Sequence, residues 1–408
     1  MEAMPEPQSA PSRPHPDWIA AIDARAGKHV VTGCYDSVVR VYGAAAPQDP
    51  ALATGVGHAS AVKSVAVMRA AAGSADKKSA GAFQIVSGSK DRSVRVWQYT
   101  PGQAALRCVG LCTGHTDSVE SVAVAPLGTQ IASASWDATI KLWDITNADS
   151  AIPADADAVA SSAAAPNAKK ARKSAAAASP SIASVPAFSP LSTLTGHLGA
   201  VTSLVFPHPA ALYSGGMDHT LRQWDLAASG GAPVATRTWF GTKVVNAMDF
   251  SLSANVLASA HNDGVIRVWD PRVHHASKES MKLSLKSHKL WVSCLRFNPQ
   301  NTHQLASGSL DHTVKLWDLR AALPLFTLRG HTDKVFGIDW DAAGVTLFSG
   351  GADNQVQSHT MGGKDAAVAE EKSESNGSES VAAAKPAAAK GKAKGKDGVK
   401  KMEVEASD

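Results

Sequence analysis

The stretch SASWDATIKLWD at residues 133–144 and its counterpart SGSLDHTVKLWD at residues 307–318 decide the fold of this 408-residue chain. In each, a serine precedes an aspartate by four residues, and a tryptophan follows that aspartate by six. Seven such sets occur, and their aspartates are 42 to 48 residues apart except for two longer intervals of 55 and 81. A period of about 40–45 residues indicates the blades of a β-propeller, here with two insertions. The sets are Thr32/Asp36/Tyr42, Ser87/Asp91/Trp97, Ser133/Asp137/Trp143, Ser214/Asp218/Trp224, Ser259/Asp263/Trp269, Ser307/Asp311/Trp317 and Ser349/Asp353/His359.

A histidine, usually preceded by glycine, stands upstream of six of the seven aspartates. It lies 21 to 23 residues before the aspartate in five sets and 33 residues before it in the second set. The second repeat therefore contains about eleven extra residues. The fifth repeat has Gly241 at the aligned position. The six histidines are His15, His58, His115, His197, His288 and His331.

We predict that the histidine, serine, aspartate and tryptophan of each complete set form one buried chain of hydrogen bonds. The carboxylate would accept from the imidazole, whose other nitrogen reaches the hydroxyl, which in turn reaches the indole N–H, so that no buried donor stays unpaired. Serine, histidine and aspartate also make a hydrolase triad, but a catalytic set occurs once, beside an oxyanion hole. These sets are periodic, so we interpret them as structural and expect no enzyme and no cofactor. The complete sets are His58/Ser87/Asp91/Trp97, His115/Ser133/Asp137/Trp143, His197/Ser214/Asp218/Trp224 and His288/Ser307/Asp311/Trp317.

These strings resemble the WD-repeat family, and the resemblance spans His15 to His359. It implies an all-β, seven-bladed propeller over residues 15–361, in which each blade is a four-stranded antiparallel sheet. Propellers of this kind serve as scaffolds for other macromolecules, and their repeats carry little information about the particular function.

Residues outside the repeat pattern resemble one branch of that family, the WD-repeat subunit of the Pescadillo and block-of-proliferation complex. The resemblance lies in HPDWIAAI (15–22), Trp136 in SASWD, GTKVVNAMDFS (241–251) and SHKLWVSCLRFNPQNTHQLASGSLDHTVKLWDLR (287–320). It implies a non-enzymatic factor in maturation of the large ribosomal subunit and its RNA, located in the nucleus, nucleolus and nucleoplasm. Its expected partners are Pescadillo-type and block-of-proliferation-type proteins and the pre-ribosomal particle. The alternative is a WD-repeat substrate receptor or signalling scaffold in the nucleus or cytoplasm.

The N-terminus departs from that branch, whose members carry a ubiquitin-like domain that docks on an AAA-type ATPase. Here the resemblance begins at His15, so this ATPase is a doubtful partner. The outer strand of the last blade would have to come from residues 1–14, which are rich in proline and cannot donate a regular ladder of hydrogen bonds. We therefore predict a disordered remnant at 1–14, an open last blade and 27 strands instead of 28. A start upstream of Met1 and a partner that supplies the strand are the two explanations.

A smaller insertion is expected at about 69–82. Two other segments have compositions that predict disorder, the insertion at about 147–186 and the tail 362–408. Their basic residues suit nuclear import or sequence-independent RNA contact, and a merely solvated linker is the alternative. The net charge of the whole chain is only +4, and no apolar run is long enough for a membrane span. The basic residues are Lys169, Lys170, Arg172, Lys173, Lys390, Lys392, Lys394 and Lys396.

Two repeat positions are candidates for partner binding, because large side chains occupy them where small polar ones would suffice. One lies three residues after the histidine, and the other lies immediately before the aspartate. We expect both to face the same mouth of the ring, where exposed aromatic residues favour protein contacts. The alternative is that these rings only cover the hairpin ends. The candidates are Trp18, Tyr35, Lys90, Trp136, Met217, Asn262 and Trp291.

Overall fold

Seven antiparallel sheets of mostly four strands make up the computed structural model of the chain, which confirms the predicted seven-bladed β-propeller. The structure describes residues 7–9, 13–44, 49–68, 81–146, 185–227, 233–241, 243–273, 280–321 and 323–361. Most of the two predicted insertions (residues 69–80 of the smaller and 147–184 of the larger), the tail, and all eight basic residues named above lie outside this part. No helix in the described ranges is both long and apolar enough to cross a membrane.

The strands follow the chain blade by blade, with the first strand of each blade at the ring centre and the fourth at its rim. Two short strands, β1 (Gln8–Ser9) and β2 (Arg13–Pro14), precede blade 1, which contains β3 (Ile19–Asp23), β4 (His29–Cys34), β5 (Val39–Gly43) and β6 (Ala53–Gly55). Blade 2 contains β7 (Val62–Met68), β8 (Phe83–Ser89), β9 (Val94–Tyr99) and β10 (Arg107–Cys112), and blade 3 contains β11 (Val119–Val124), β12 (Gln130–Ser135), β13 (Ile140–Asp144) and, after β14 (Ala187–Phe188), β15 (Ser192–Leu194).

The remaining four blades have the same order. Blade 4 contains β16 (Val201–His208), β17 (Ala211–Gly216), β18 (Thr220–Asp225) and β19 (Val234–Phe240), and blade 5 contains β20 (Val245–Ser251), β21 (Val256–His261), β22 (Val265–Trp269) and β23 (Met281–Lys286). Blade 6 contains β24 (Val292–Phe297), β25 (Gln304–Ser309), β26 (Val314–Asp318) and β27 (Pro324–Leu328), and blade 7 contains β28 (Val335–Trp340), β29 (Thr346–Gly351) and β30 (Gln355–Thr360).

The apolar core is divided among the seven interfaces between neighbouring blades. Because each blade is apolar on both faces, it can bury them only against its two neighbours. Each of the seven core clusters accordingly combines residues of two adjacent blades. In the cluster that closes the ring, Ile19, Ile22 and Val30 of blade 1 pack with Phe348 and Val356 of blade 7.

The prediction that the last blade lacks its outer strand is wrong. Two short pieces of the N-terminal segment pair antiparallel with β30: Gln8 lies opposite Thr360, and Arg13 lies opposite Val356. Prolines are tolerated on an edge strand, because only alternate N–H groups face the neighbouring strand. The prediction that residues 1–14 stand apart from the propeller therefore fails for β1 and β2. The strand count of 27 is wrong as well, since thirty strands are described, including β14, which adds to blade 2.

At six of the seven junctions, a side chain on the innermost strand of one blade accepts a hydrogen bond from a backbone N–H of the next blade. Asp23 of blade 1 accepts a hydrogen bond from Val67 N of blade 2 at 2.9 Å. Asp339 of blade 7 accepts one from Ala24 N of blade 1, also at 2.9 Å, and so closes the ring. Four further links of this kind join Ser64 to Val122 N, Ser121 to Leu204 N, Ser203 to Met248 N and Asp249 to Phe297 N.

The carboxylates in these links belong to a charged network in the central channel, in which Asp23 and Asp339 are buried and Arg25 is half-exposed. Arg25 is hydrogen-bonded to Asp23, and Arg296 Nε lies 3.4 Å from Asp339 Oδ1 and close to Asp249. Three carboxylates thus share two guanidinium groups. Burial, assisted by the nearby negative charge of Asp23, raises the pKa of Asp339 to about 6.

This raised pKa predicts how Asp339→Asn changes the pH dependence of stability. Because Asp339 binds its proton more tightly when folded than when unfolded, its contribution is complete below about pH 4 and is lost as the pH rises through about 6. The asparagine can still accept from Ala24 N but cannot ionise. We therefore expect the melting temperature of the variant to rise relative to that of the wild type between pH 4.5 and pH 7.5. A difference that stays constant over this range would contradict the assignment.

Candidate partner-binding face

The four complete sets form hydrogen-bonded chains of nearly identical geometry. In blade 3, His115 Nδ1 lies 2.8 Å from Asp137 Oδ2, and His115 Nε2 lies 2.8 Å from Ser133 Oγ. Trp143 Nε1 donates to the same Ser133 Oγ at 2.8 Å. In blades 2, 4 and 6 the corresponding distances lie between 2.7 and 3.0 Å. Each chain joins the loop that carries the histidine to the hairpin turn that carries the aspartate.

The tryptophans of the other three complete sets, Trp97, Trp224 and Trp317, are core residues and not contact residues. Each donates its indole N–H to the serine of its own set at 2.8 Å. Their residues are at most 1% exposed, and each ring packs in a cluster between two blades. Each ring also lies against the histidine of its set, with centroids 6.0 to 6.3 Å apart. A partner cannot touch these rings, because the blades cover them on both sides.

The pKa shifts of Asp137 and His115 determine which atoms donate and which accept in the hydrogen-bonded set of blade 3. Although burial opposes its charge, hydrogen bonds from Thr139 and His115 lower the pKa of Asp137 to about 2. Burial also lowers the pKa of His115, more than the aspartate raises it. The neutral imidazole therefore donates from Nδ1 to the carboxylate and accepts the Ser133 hydroxyl at Nε2, while the hydroxyl oxygen accepts the indole N–H. In this hydrogen-bonded set of blade 3, every side-chain polar atom has a partner.

The arrangement leaves no reactive serine. The hydroxyls of Ser87, Ser133, Ser214 and Ser307 are fully buried, and each is held between an imidazole and an indole. A substrate cannot reach them, unlike the exposed nucleophile of a catalytic triad. Within the described ranges, no cluster of three metal-ligating side chains occurs either.

Blade 5 supplies its missing imidazole from a position that the sequence analysis overlooked. His261 lies two residues after Ser259 on the same strand, and its Nε2 is 2.8 Å from Ser259 Oγ, which also accepts the indole N–H of Trp269. Asp263, left without a histidine, instead binds Arg267 at 2.6 Å. The signal was present in the sequence, because the other repeats have cysteine, serine or glycine at the position of His261.

The two end blades contain partial versions of the chain. In blade 1, His15 Nε2 lies 3.1 Å from Thr32 Oγ1, while Asp36 binds Arg40. In blade 7, His331 bonds Asp353 and Ser349, but His359 replaces the tryptophan, and its buried Nε2 has no hydrogen-bond partner.

The face of the ring that carries these chains, here called the tetrad face, is built from tight turns. In all seven blades the residue after the aspartate has a positive φ of 60° to 76°, although only Gly264 is a glycine. The left-handed conformation turns the chain sharply into the third strand of the blade and holds the residue before the aspartate at the surface.

The two candidate positions meet on this face in every blade. The N–H of the residue before the aspartate donates to the carbonyl of the residue three after the histidine, as between Tyr35 and Trp18 at 2.9 Å and between Leu310 and Trp291 at 3.0 Å. In blade 3, Trp136 N donates to Ser118 O at 3.0 Å. The other four pairs are Lys90–Ala61, Met217–Ala200, Asn262–Val244 and Ala352–Lys334.

A cavity of about 410 Å³ opens at the centre of the tetrad face and is lined by the innermost strands of all seven blades. Tyr35 and Trp291 line it, and Trp18 packs against Tyr35 and Phe336 with ring centroids 5.4 and 6.1 Å apart. The side chains of Trp136 and Trp291 are 48% and 51% exposed, respectively. Lys90, Trp136, Met217 and Asn262 lie farther out on the same face and do not line the cavity.

The mouth of this cavity is asymmetric because of a third repeat position, five residues after the histidine, which the sequence analysis did not consider. In blades 4 to 6 the side chain at this position bonds a backbone carbonyl of the next blade, as Asn246 Nδ2 does with Val292 O at 2.9 Å. Thr202 and Ser293 make the equivalent links to Val245 and Val335. These residues hold neighbouring blades together.

Blades 7, 1, 2 and 3 have Phe336, Ala20, Lys63 and Glu120 at the same position. Lys63 Nζ donates to Tyr35 Oη at 2.9 Å and lies 3.5 Å from Glu120, across the cavity wall. This half of the mouth therefore presents aromatic rings and a charged pair. Two of the predicted aromatic residues lie at this half of the mouth, Tyr35 in the cavity lining and Trp18 against it.

Comparisons with known proteins agree with this architecture. A family model described as WD domain, G-beta repeat matches residues 51–98, 106–144, 188–225, 233–270, 279–318 and 322–358. These matches contain six of the seven aspartates and five of the serine, aspartate and tryptophan sets in full, since the last match ends one residue before His359. They omit the set of blade 1, where threonine and tyrosine replace serine and tryptophan and Asp36 binds an arginine.

Three relatives that match most of the chain are each named ribosome biogenesis protein WDR12 homolog. The protein of Nematostella vectensis is 35% identical over 358 residues, which cover 87% of this chain and 78% of the relative. That of Oryza sativa subsp. japonica is 33% identical over 351 residues, with 84% and 73% covered. That of Chlamydomonas reinhardtii is 32% identical over 377 residues, with 87% and 78% covered.

Removal of one hydroxyl tests the energetic role of the chains. We expect Ser133→Ala to strand the buried imidazole of His115 and the indole of Trp143, at a cost of about 1–3 kcal/mol for each unpaired group. The matched control is Ser349→Ala, because blade 7 has His359 in place of the tryptophan and so loses no indole bond. Chemical denaturation of both variants measures the difference. Equal losses of stability would contradict the proposed role of the indole link.

The buried imidazoles predict acid sensitivity. Burial lowers the pKa of His58, His115 and His288, and lowers that of His261 and His359 to about 4. Since these groups bind protons less tightly when folded, their stabilising contribution is complete above about pH 6.5 and is lost as the pH falls toward 4. Asp339 acts in the opposite direction, but it is one group against five. We expect the melting temperature to fall between pH 7 and pH 4.5, and a rising one would refute the neutral-imidazole assignment.

Proposed function

The chain belongs to the WD-repeat ribosome-biogenesis family, and from this membership we propose that it is a non-enzymatic scaffold in assembly of the large ribosomal subunit. The observation that carries the proposal is the 35% identity over 358 residues to a relative named for ribosome biogenesis. The identity extends over most of both chains, so it includes residues between the repeats as well as the repeat pattern.

The absence of catalysis in this proposal rests on the burial of the serine hydroxyls. Each repeated Ser–His–Asp set is committed to holding its own blade together, with the hydroxyl fully buried. The ring instead offers a broad face on which tight turns fix the direction of every surface side chain. A rigid platform of this kind can bind several proteins at once.

We propose that partners dock on the half of the tetrad face formed by blades 7, 1, 2 and 3, with the neighbouring Trp291. Trp18 and Trp136 are exposed and stand on turns fixed by backbone hydrogen bonds. Trp18 packs against Tyr35 and Phe336 at the mouth of the cavity, and Trp136 lies farther out on the same face. Exposed tryptophans in such positions are typical centres of protein interfaces. The partners that the resemblance implies are the Pescadillo-type and block-of-proliferation-type proteins of the pre-ribosomal particle, and the location is the nucleus and nucleolus.

Cosedimentation tests the proposal at the level of the particle. The tagged full-length chain should sediment with precursors of the large ribosomal subunit and accumulate in nucleoli. Its presence with ubiquitin-ligase adaptors, and its absence from such precursors, would favour the alternative of a substrate receptor.

Substitutions on the tetrad face test the docking surface. We expect the double variant Trp136→Glu, Trp291→Glu to lower the recovered amount of partner proteins at least ten-fold, since the loss of an aromatic anchor typically costs about 2 kcal/mol or more. Leu127→Glu, at an exposed turn of the opposite face, is the matched control and should leave recovery unchanged. Melting temperatures establish that both variants are folded. Full recovery with the folded double variant would disprove the surface while leaving the ribosomal role intact.

A further inference from the structure

Three exposed cations lie on the outer part of the tetrad face, at blades 5 and 6. Lys286 ends β23, the outer strand of blade 5, and Arg329 directly follows β27, the outer strand of blade 6. Each of the two stands two residues before a histidine of the repeat pattern, His288 or His331, and Lys289 directly follows His288. Because these histidines bond the aspartate turns, all three cations lie at the tetrad end of their blades.

A fourth cation, Lys315 of β26, connects these positions. It lies opposite Thr327 of β27, whose hydroxyl accepts a hydrogen bond from Lys315 Nζ at 3.0 Å. Burial lowers the pKa of Lys315, and the positive charges of Arg329 and Lys289 lower it further, although a nearby carboxylate opposes them. Lys286, three residues before Lys289, extends the group by at most about 10 Å. The four residues, here called the basic cluster, are Lys286, Lys289, Lys315 and Arg329.

The basic cluster is not neutralised by carboxylates of the chain. Among the described residues, none of its four side chains forms an ion pair. The carboxylate of the blade 6 turn, Asp311, already binds His288 Nδ1 at 3.0 Å and the backbone N–H of Lys289 at 2.9 Å. The exposed Asp333 lies 3.9 Å from His312 Nε2 instead. The cluster therefore keeps its positive charge.

Cations elsewhere on the tetrad face have carboxylate partners. Arg267 binds Asp263 at 2.6 Å, and Lys63 lies 3.5 Å from Glu120.

The fold does not require cations in the basic cluster. The residue two before the histidine is uncharged at the end of the outer strands of blades 1 to 3, where it is Val56, Thr113 and Thr195. Like charges held together without a counter-charge destabilise a folded chain by repulsion, and an external anion removes this cost. The cluster is thus explained better by binding than by folding.

We propose that the basic cluster binds the phosphate backbone of RNA. This inference rests on the proposed function, because the polyanion is taken to be the RNA of the pre-ribosomal particle. Lysine is depleted at protein interfaces, whereas interfaces with nucleic acid are much more positively charged. Phosphate contacts fix the position of RNA and do not read its sequence. The site lies on blades 5 and 6, outside the half of the face proposed for protein docking, with Trp291 of the cavity lining at their border.

Charge reversal tests RNA binding by the purified full-length chain. The double variant Lys289→Glu, Arg329→Glu should bind a short single-stranded RNA of mixed sequence at least ten-fold more weakly than the control Lys28→Glu, Lys90→Glu. The control makes the same change of net charge at two exposed lysines outside the cluster. The basic insertion and tail are identical in both proteins, so their contribution to binding cancels in the comparison.

The salt dependence of the same binding reports how many phosphates are contacted. Each contact with a single strand contributes about 0.7 to the slope of log Kd against log salt concentration, so loss of two contacts should reduce the slope by about 1.4. Melting temperatures establish that both variants are folded. Equal affinities and equal slopes for the folded cluster variant and its control would overturn the proposal.

Crosslinking in native complexes distinguishes RNA from an acidic protein. After ultraviolet irradiation of the purified complexes, we expect mass spectrometry to find nucleotide adducts on peptides that contain residues 286–291 or 327–331. An acidic protein segment coupled to Lys286 or Lys289 by an amine-to-carboxylate crosslinker, without nucleotide adducts there, would overturn RNA as the ligand. If the wild-type chain sediments with large-subunit precursors but shows no adduct at the cluster, this inference fails and the ribosomal role stands.

Discussion

The serine hydroxyl buried in blades 2, 3, 4 and 6 is the constraint on which the other features depend. In blade 3 it accepts the indole N–H of Trp143 and donates to the imidazole of His115, which is itself bonded to Asp137 of the hairpin turn. Because the charge of that aspartate is stabilised by backbone N–H groups of the histidine loop as well, loop and turn cannot move apart without leaving buried polar atoms unpaired. The rigidity of the tetrad face, and so its value as a platform, follows from this link.

Ring closure has a second source of stability besides the outer strand. In the described part of the N-terminal segment, two short strands pair with blade 7, each two residues long. The inner strands supply more, through the bond from Ala24 N to Asp339 and the apolar cluster around Ile19 and Phe348. Closure at the centre therefore relies on a carboxyl group whose pKa is raised by burial. Asp339 keeps its hydrogen bond from Ala24 N, although burial disfavours the ionised form of its carboxyl group.

Periodic features were predictable from the sequence, and the departures from periodicity were harder to predict. The spacing of serine, aspartate and tryptophan predicted seven blades, because each blade must repeat the same buried bonds. The role of His261 was missed, since an imidazole can reach the same hydroxyl from a different strand. The pairing of the N-terminal segment with β30 was missed because its prolines were taken to exclude a strand. An edge strand, however, needs only alternate N–H groups. The network around Asp339 joins residues more than 300 positions apart, and no local pattern marks it.

The repeats are similar in structure, but their surfaces differ. The difference arises at repeat positions where the fold does not require a particular side chain. Where the residue five after the histidine is Thr202, Asn246 or Ser293, it bonds the next blade and is used for stability. In the other four blades, packing of the inner strands suffices, and that position holds an aromatic, small or charged side chain. The rim is asymmetric as well, since further segments of the chain lie along the outer strands of blades 1 and 2, whereas those of blades 3 to 6 have one described partner strand each. Partners can thus recognise particular blades of the scaffold, because the blades that lack such a bond to their neighbour carry different side chains five residues after the histidine.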